Sequence, residues 1–251
     1  MLLLLPPSET KRVGGPEDTR LDYAALSWPE LTKPRRAAVE GVRKLSRNLG
    51  AAATALRVGS TLGAAVARNR VILTSPVLPA IDRYEGVLYE GLDAATLTQE
   101  QRAFAGRHVA IASAAFGLTA ALDPIPAYRL SHDSRLPGLS LGRLWRAPIS
   151  AVLAATEGLL VDLRSEAYAG LGPLPQRPDA VFVRVVSEDG TGRRRALNHF
   201  NKMGKGEFVR RVIEAGIDHA DVRSLLSWAA ASGIRLEPGA PGATAELDLV
   251  V

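Results

Sequence analysis

The sequence predicts an α+β fold: one compact domain over residues 1–251, with a mixed central sheet surrounded by helices. Strand-like and helical segments mix without strict βαβ alternation, which separates this pattern from a doubly wound chain. Hydrophobic residues make up 47% of the sequence, enough for a sizeable core, and no repeat or long linker divides it. That hydrophobicity, with a modest net charge, also excludes disorder.

Met1 to Leu5 is an all-apolar run stopped by Pro6-Pro7, the pattern of a buried central strand. Residues 6–22 read as loop. A helix is predicted from Ser27-Trp28-Pro29-Glu30, with proline at its first position, to about Leu49. An Ala-rich helical stretch follows over 51–70. Pro76 to Arg83 reads as a short helix, and Gly86 to Leu92 as a strand or turn. An amphipathic helix over 97–107 begins at Thr98. His108 to Phe116 is an apolar run of β character, and Asp123-Pro124-Ile125-Pro126 reads as a loop. Leu141 to Thr156 is predicted helical, with Pro148 as a kink or boundary. Gly158 to Arg164 reads as a strand running into a short helix at Ser165. Ala180–Ser187 and Arg195–Phe200 bracket Asp189-Gly190, a hairpin signal. Helices are predicted over about 207–215 and 219–232, with Gly216 and Gly233 where C-capping glycines belong. Ile234–Leu236 and Ala245–Val251 read as a closing hairpin.

The formal net charge is +5, from 31 basic and 26 acidic residues. Its distribution says more: from Arg184 to Arg211 there are eight basic and three acidic residues, and a second basic run spans Lys33 to Arg47. Clustered positive charge attracts polyanions in a salt-dependent way, although such runs also serve as solvated faces. Cysteine is absent, which excludes disulfides, thiolate metal sites and cysteine nucleophiles. No stretch approaches the ~20 apolar residues of a membrane span. The N-terminal leucines fall short of a signal-peptide core, so the expected location is the cytoplasm, with no membrane partner. His108, His132, His199 and His219 lack metal-ligand spacing, and no Walker motif, Gly-x-Ser-x-Gly or dinucleotide fingerprint is present. Neither a metal nor a cofactor is expected.

Polar clusters follow apolar runs three times. Pro7-Ser8-Glu9-Thr10-Lys11 follows the first, Asp162-Leu163-Arg164-Ser165 with Tyr168 another, and His199 with Lys202 a third. Loops at strand ends are where sites assemble. Each cluster also has a local alternative, since Ser165 can cap a helix and Ser8 a turn. Gly204-Lys205-Gly206 precedes the helix predicted from Glu207. Glycines there turn backbone N–H groups outward, and a helix N-terminus favours an anion; a plain turn is the alternative.

Taken together, these residues resemble the YaaA family of bacterial peroxide-stress proteins. The matching stretches are Leu4-Leu5-Pro6-Pro7-Ser8-Glu9 and Arg83-Tyr84-Glu85-Gly86-Val87-Leu88-Tyr89-Glu90-Gly91-Leu92. Phe116-Gly117-Leu118 and Leu122-Asp123-Pro124-Ile125-Pro126-Ala127-Tyr128-Arg129-Leu130 come next, then Leu144-Trp145 and Val161 to Tyr168. The last are His199-Phe200-Asn201-Lys202 and Lys205-Gly206. The set occurs in the family's order across nearly the whole chain. The resemblance implies a compact α+β fold with a positively charged cleft, a cytosolic location, a role in limiting peroxide damage and free iron, and binding to duplex DNA. Lys205 stands where the family commonly has Arg, and Thr10 where many members carry Gly.

Two functions follow. In the first, a basic cleft binds duplex DNA or another phosphate-bearing ligand, and Lys202, Lys205, Arg210, Arg211 and Arg193–Arg195 contact phosphates without reading bases. In the second, the chain is an enzyme (hydrolase, lyase or transferase) acting on a nucleotide, nucleobase or similar anionic small molecule. Backbone binding needs only cations, yet the matching motifs also carry carboxylates and hydroxyls. Glu9 is then the proton carrier, and Lys202 an anchor or nucleophile. Arg129 and Arg164 are substrate anchors. Ser8, Lys11, Tyr84, Tyr89, Tyr128, Asp162, Ser165, Tyr168, Asn201 and Lys205 complete the expected ligand-binding set.

Overall fold

A run of four leucines offers no polar face to water, and Leu2–Leu5 accordingly forms a strand buried on both sides, β1. The computed structural model describes residues 1–57, 62–190, 194–196, 201–239 and 245–251. After β1 come α1 (Thr32–Leu45), α2 (Leu49–Leu56), α3 (Leu62–Arg70), β2 (Val77–Pro79), α4 (Ala80–Arg83) and α5 (Val87–Leu92). Next are α6 (Gln99–His108), β3 (Val109–Ser113), β4 (Gly117–Ala120), β5 (Pro124–Pro126), α7 (Leu141–Ala155), β6 (Leu160–Asp162) and α8 (Glu166–Ala169). The chain closes with β7 (Ala180–Glu188), β8 (Arg194–Ala196), α9 (Asn201–Ala215), α10 (Val222–Ala231), β9 (Leu236–Pro238) and β10 (Glu246–Val250).

The class is α+β, with one mixed eight-stranded sheet in the order β4-β3-β1-β6-β7-β10-β9, and β8 beside β7. The inner strands β3, β1, β6, β7 and β10 run parallel, while β4, β8 and β9 pair antiparallel at the margins. The chain passes from β1 to β3 on one side and later to β6 on the other. Connections therefore diverge at β1, and such a switch point opens a crevice at the carboxyl ends of the strands. Among the described residues no helix is long and apolar enough to cross a membrane.

Most local signals are realised. Thr98 caps α6 in a reciprocal box: its hydroxyl accepts the Gln101 N–H at 3.2 Å, and the Gln101 side chain accepts the Thr98 N–H at 2.9 Å. Thr98→Ala is expected to cost about 1 kcal/mol, read as a lower denaturant midpoint at unchanged slope. Gly216 and Gly233 take the positive φ values of C-capping residues. The hairpin around Asp189-Gly190 forms as β7 and β8, with 191–193 and 197–200, hence Arg193 and His199, outside the described residues. The closing pair forms as β9 and β10, and 240–244 lie outside the described residues.

Several elements differ from expectation. The predicted helix to Leu49 ends at Leu45, because Asn48 caps a new helix by accepting the Ala51 N–H. Val87–Leu92 is helical, not strand or turn, and packs against α9. Val77–Pro79 and Pro124–Pro126, read as helix and loop, pair as a small separate sheet. Pro148 lies inside an unbroken α7. The largest correction concerns α9, which starts at Asn201 and not near Glu207. Gly204-Lys205-Gly206 is helix interior, with no positive φ at either glycine.

Candidate functional site

The carboxyl end of β1 releases Pro6 to Lys11 at the switch point, and the functional side chains gather around it. Lys11 forms an isolated antiparallel bridge with Tyr84, the residue that ends α4. Arg83 fixes that register: its buried guanidinium donates to the carbonyls of Ile125, Arg12, Gly14 and Pro76. Burial lowers the Arg83 pKa to about 10. The side chain of Lys11 is almost fully buried. Its Nζ donates to the Ser8 carbonyl at 2.8 Å and lies 4.2 Å from the centre of the Tyr128 ring and 5.2 Å from that of Tyr84. Desolvation brings this ammonium down to about 7; Glu9 acts against that, while Arg129, Arg68 and Arg83 add to it.

Four of the chain's five tyrosines belong to this cluster. Tyr84 stacks on Tyr89 with centroids 5.4 Å apart, and the Tyr89 hydroxyl donates to the Pro6 carbonyl at 2.9 Å. The hydroxyls of Tyr84 and Tyr128 are 2.9 Å apart, and Tyr128 in turn lies 2.7 Å from Ser113 Oγ at the end of β3. Tyr168, on α8, packs edge-on against His132. Burial pushes Tyr84 up to about 12 and raises Tyr89, Tyr128 and Tyr168 as well; Tyr84 and Glu9 are the next causes at Tyr168. All four are neutral phenols at physiological pH.

Glu9 lies exposed at the rim. Its Oε2 is 2.6 Å from Arg129 Nη2, and its Oε1 accepts the Ser131 hydroxyl at 2.5 Å. The Arg129 backbone is pinned by buried Asn69, which accepts its N–H at 2.8 Å and donates to its carbonyl at 2.9 Å. Ser8, Glu9, Lys11, Tyr84, Tyr89, Tyr128, Arg129 and Tyr168 are thus brought together. Ser113, Ser131 and Asn69 were not foreseen. Ser113 carries one faint signal, as the only hydroxyl in the apolar run His108 to Phe116.

The other expected residues make their hydrogen bonds and ion pairs outside this cluster, although Asp162 pairs in register with Leu4 of β1. Asp162 and Arg164 are sealed together: Nε and Nη2 of Arg164 donate to the two carboxylate oxygens at 2.8 and 2.7 Å, and Nη2 also reaches the Gly172 carbonyl. Lys205 is buried, donating to the Leu163 carbonyl at 2.9 Å; burial lowers it to about 8. Ser165 precedes α8 but its side chain makes no capping bond. Asn201 and Lys202 occupy the first turn of α9, where Lys202 is exposed. Among the described residues no hydrogen bond or ion pair joins Lys202 to the Glu9 cluster.

The basic segment between Arg184 and Arg211 is heavily paired. Arg194 binds Glu188, Glu237 and Asp248, tying β8 to its neighbours, and Arg184 pairs with Glu246. Arg210 is 2.7 Å from Glu214 and donates to Thr96 and to the Asp93 carbonyl, while Arg211 reaches the Ser232 carbonyl. In the Lys33–Arg47 run, Arg35 is wholly buried and donates to four backbone carbonyls, Ser27, Trp28, Phe116 and Leu118. Arg35 and Arg194 thereby hold neighbouring elements together.

A family model described as peroxide stress protein YaaA matches residues 1–233. A UPF0246 protein of Corynebacterium glutamicum is 40% identical over 257 residues, covering 100% of both chains. One from Streptomyces coelicolor is 36% identical over 258 residues, covering 100% of this chain and 98% of its own. One from Caulobacter vibrioides is 28% identical over 253 residues, covering 95% and 94%.

Proposed function

Because the chain belongs to the YaaA family of peroxide stress proteins, we propose that it helps limit oxidative damage in the cytoplasm by binding a phosphate-bearing, nucleotide-like ligand at the carboxyl ends of β1 and β3, and that it acts on this ligand as an enzyme. One observation carries this reading. Lys11 Nζ and Arg129 Nη1 each lie 3.5 Å from the Glu9 carbonyl, so two cations converge beside the single carboxylate of Glu9. A cluster of cationic side chains beside neutral phenols suits an anion attached to a planar or sugar-like body. Arg129 is the phosphate anchor, and its pairing with Glu9 is exchanged for the ligand. Glu9, released, is the proton carrier.

Duplex DNA has less support, because Arg184, Arg194, Arg210 and Arg211 already have partners. Exposed Lys202 and Arg195 are what favours it. Calorimetric titration with a nucleoside monophosphate and with a short duplex separates the two. Arg129→Ala is expected to weaken the monophosphate at least about 10-fold, as loss of a charge-assisted contact does, while Lys202→Ala leaves it unchanged. If only the duplex binds, with a steep salt dependence that Lys202→Ala plus Arg195→Ala removes, the small-ligand reading is wrong.

A further inference from the structure

We propose that Lys11 is an amine nucleophile that forms an imine with an aldehyde-bearing phosphate ester, with Tyr84 as its proton donor. The inference rests on the phosphate-binding reading of the same site. It begins from hydrogen-bond direction. Ser113 Oγ accepts the N–H groups of Ala115 at 3.2 Å and Phe116 at 2.9 Å, which fills both of its lone pairs. Its own proton can then go only to Tyr128 Oη, 2.7 Å away. Tyr128 therefore donates to Tyr84 Oη at 2.9 Å, and the Tyr84 proton is left for a further acceptor. The chain runs one way, from Ser113 through Tyr128 to Tyr84. It ends on a polarised phenol beside the Lys11 amine.

Lys11 is equally prepared. Its Nζ lies over the Tyr84 and Tyr128 rings and reaches the carbonyls of Ser8 at 2.8 Å and Glu9 at 3.5 Å. Arg129 Nη1 donates to that same Glu9 carbonyl at 3.5 Å, so the amine and the phosphate anchor are neighbours through one oxygen. Glu9 itself is exposed, which places the amine one peptide below the surface. Burial, with Arg129, Arg68 and Arg83 against Glu9, also supplies free amine at neutral pH.

The step balances without an oxidant or a reductant. The Lys11 lone pair forms the N–C bond as the carbonyl π bond opens. Its oxygen takes the Tyr84 proton, and the phenolate recovers one from the nitrogen. The carbinolamine hydroxyl then leaves as water with a second proton from Tyr84, nitrogen completes the C=N bond, and its remaining proton returns to the Tyr84 phenolate. The products are one imine and one water.

Borohydride trapping on the full chain tests this. The chain has five lysines, Lys11, Lys33, Lys44, Lys202 and Lys205, so peptide mapping is unambiguous. With glycolaldehyde phosphate and cyanoborohydride, the expected result is one adduct, at Lys11, formed at least about 10-fold faster than with glycolaldehyde itself. A duplex carrying an abasic sugar aldehyde is the second arm. An adduct at Lys11 from either source supports the proposal, and the arm that reacts identifies the source. Tyr84→Phe is expected to slow trapping roughly 100-fold, far beyond any change in its affinity for glycerol 3-phosphate. Labelling confined to Lys33, Lys44 or Lys202, or undiminished in Lys11→Arg, overturns it. Binding of glycerol 3-phosphate without an adduct overturns the imine alone; absence of both overturns the site reading as well.

Discussion

Gly206→Ala is expected to lower the unfolding free energy by more than about 3 kcal/mol, and to loosen the site with it. A Cβ at Gly206 would stand 2.0 Å from the Leu88 carbonyl oxygen and 2.9 Å from the Leu92 nitrogen. Both obstacles are backbone atoms of α5, so no rotamer change relieves the clash. Gly91 on α5 makes the reciprocal approach, since a Cβ there would meet the Met203 carbonyl at 2.8 Å. The two helices touch backbone to backbone, and adding one methyl must push α5 away. That helix carries Tyr89, which stacks on Tyr84 and holds the Pro6 carbonyl. Ordinary glycine-to-alanine changes inside helices gain about 1 kcal/mol from propensity, so the sign of the effect discriminates. Denaturant unfolding gives the answer: a neutral or stabilised variant would mean that α5 and α9 do not meet this way.

That glycine also marks the boundary of what the sequence could reveal. Signals that act within a few residues were readable: the four leucines of β1, the box at Thr98, the turn at Asp189-Gly190, the caps at Gly216 and Gly233. Gly204-Lys205-Gly206 looked like a phosphate-binding turn because glycine is locally permissive. Its actual constraint comes from Leu88, far away in the chain, and no local pattern encodes that contact. The candidate site divides the same way. Glu9, Tyr84, Arg129 and Tyr168 stood in recognisable motifs, but their joining depends on Asn69, Ser113 and Ser131, each an isolated polar residue in unremarkable surroundings. Arg35 fell in a basic run open to reading as a solvated face, and Arg83 in a stretch that gave it no role, yet their guanidinium groups are buried and hold loops together through carbonyl oxygens. A count of basic residues cannot separate such latches from cations offered to a ligand.

Lys11→Met is expected to stabilise the protein at pH 6 by roughly 2 kcal/mol and to lose that advantage by about pH 10. The wild-type amine is brought from 10.5 to about 7 on folding, chiefly by burial. Between those values the unfolded chain holds a proton that the folded chain has released, so stability rises with pH across this window. Below pH 7 both states are protonated, and the folded state carries the whole cost of a buried ammonium. Above the unfolded value both are neutral and the cost vanishes. Converted at about 1.4 kcal/mol per pH unit, the displacement corresponds to roughly 4 to 5 kcal/mol at low pH. Methionine removes that term but gives up the bond to the Ser8 carbonyl, a loss of about 1 to 3 kcal/mol. The remainder raises the melting temperature by about 4 to 8 °C at pH 6. Lys205 titrates in the same direction, so the quantity to follow is the difference between wild type and variant, in which Lys205 cancels. A difference that stays constant from pH 6 to pH 10 would mean that Lys11 keeps its ordinary ammonium in the fold. The amine would then carry its proton at neutral pH and could not act as the nucleophile proposed above. A stabilisation that fades with rising pH marks a residue held at the site at a cost to stability, as the proposed reactive amine requires.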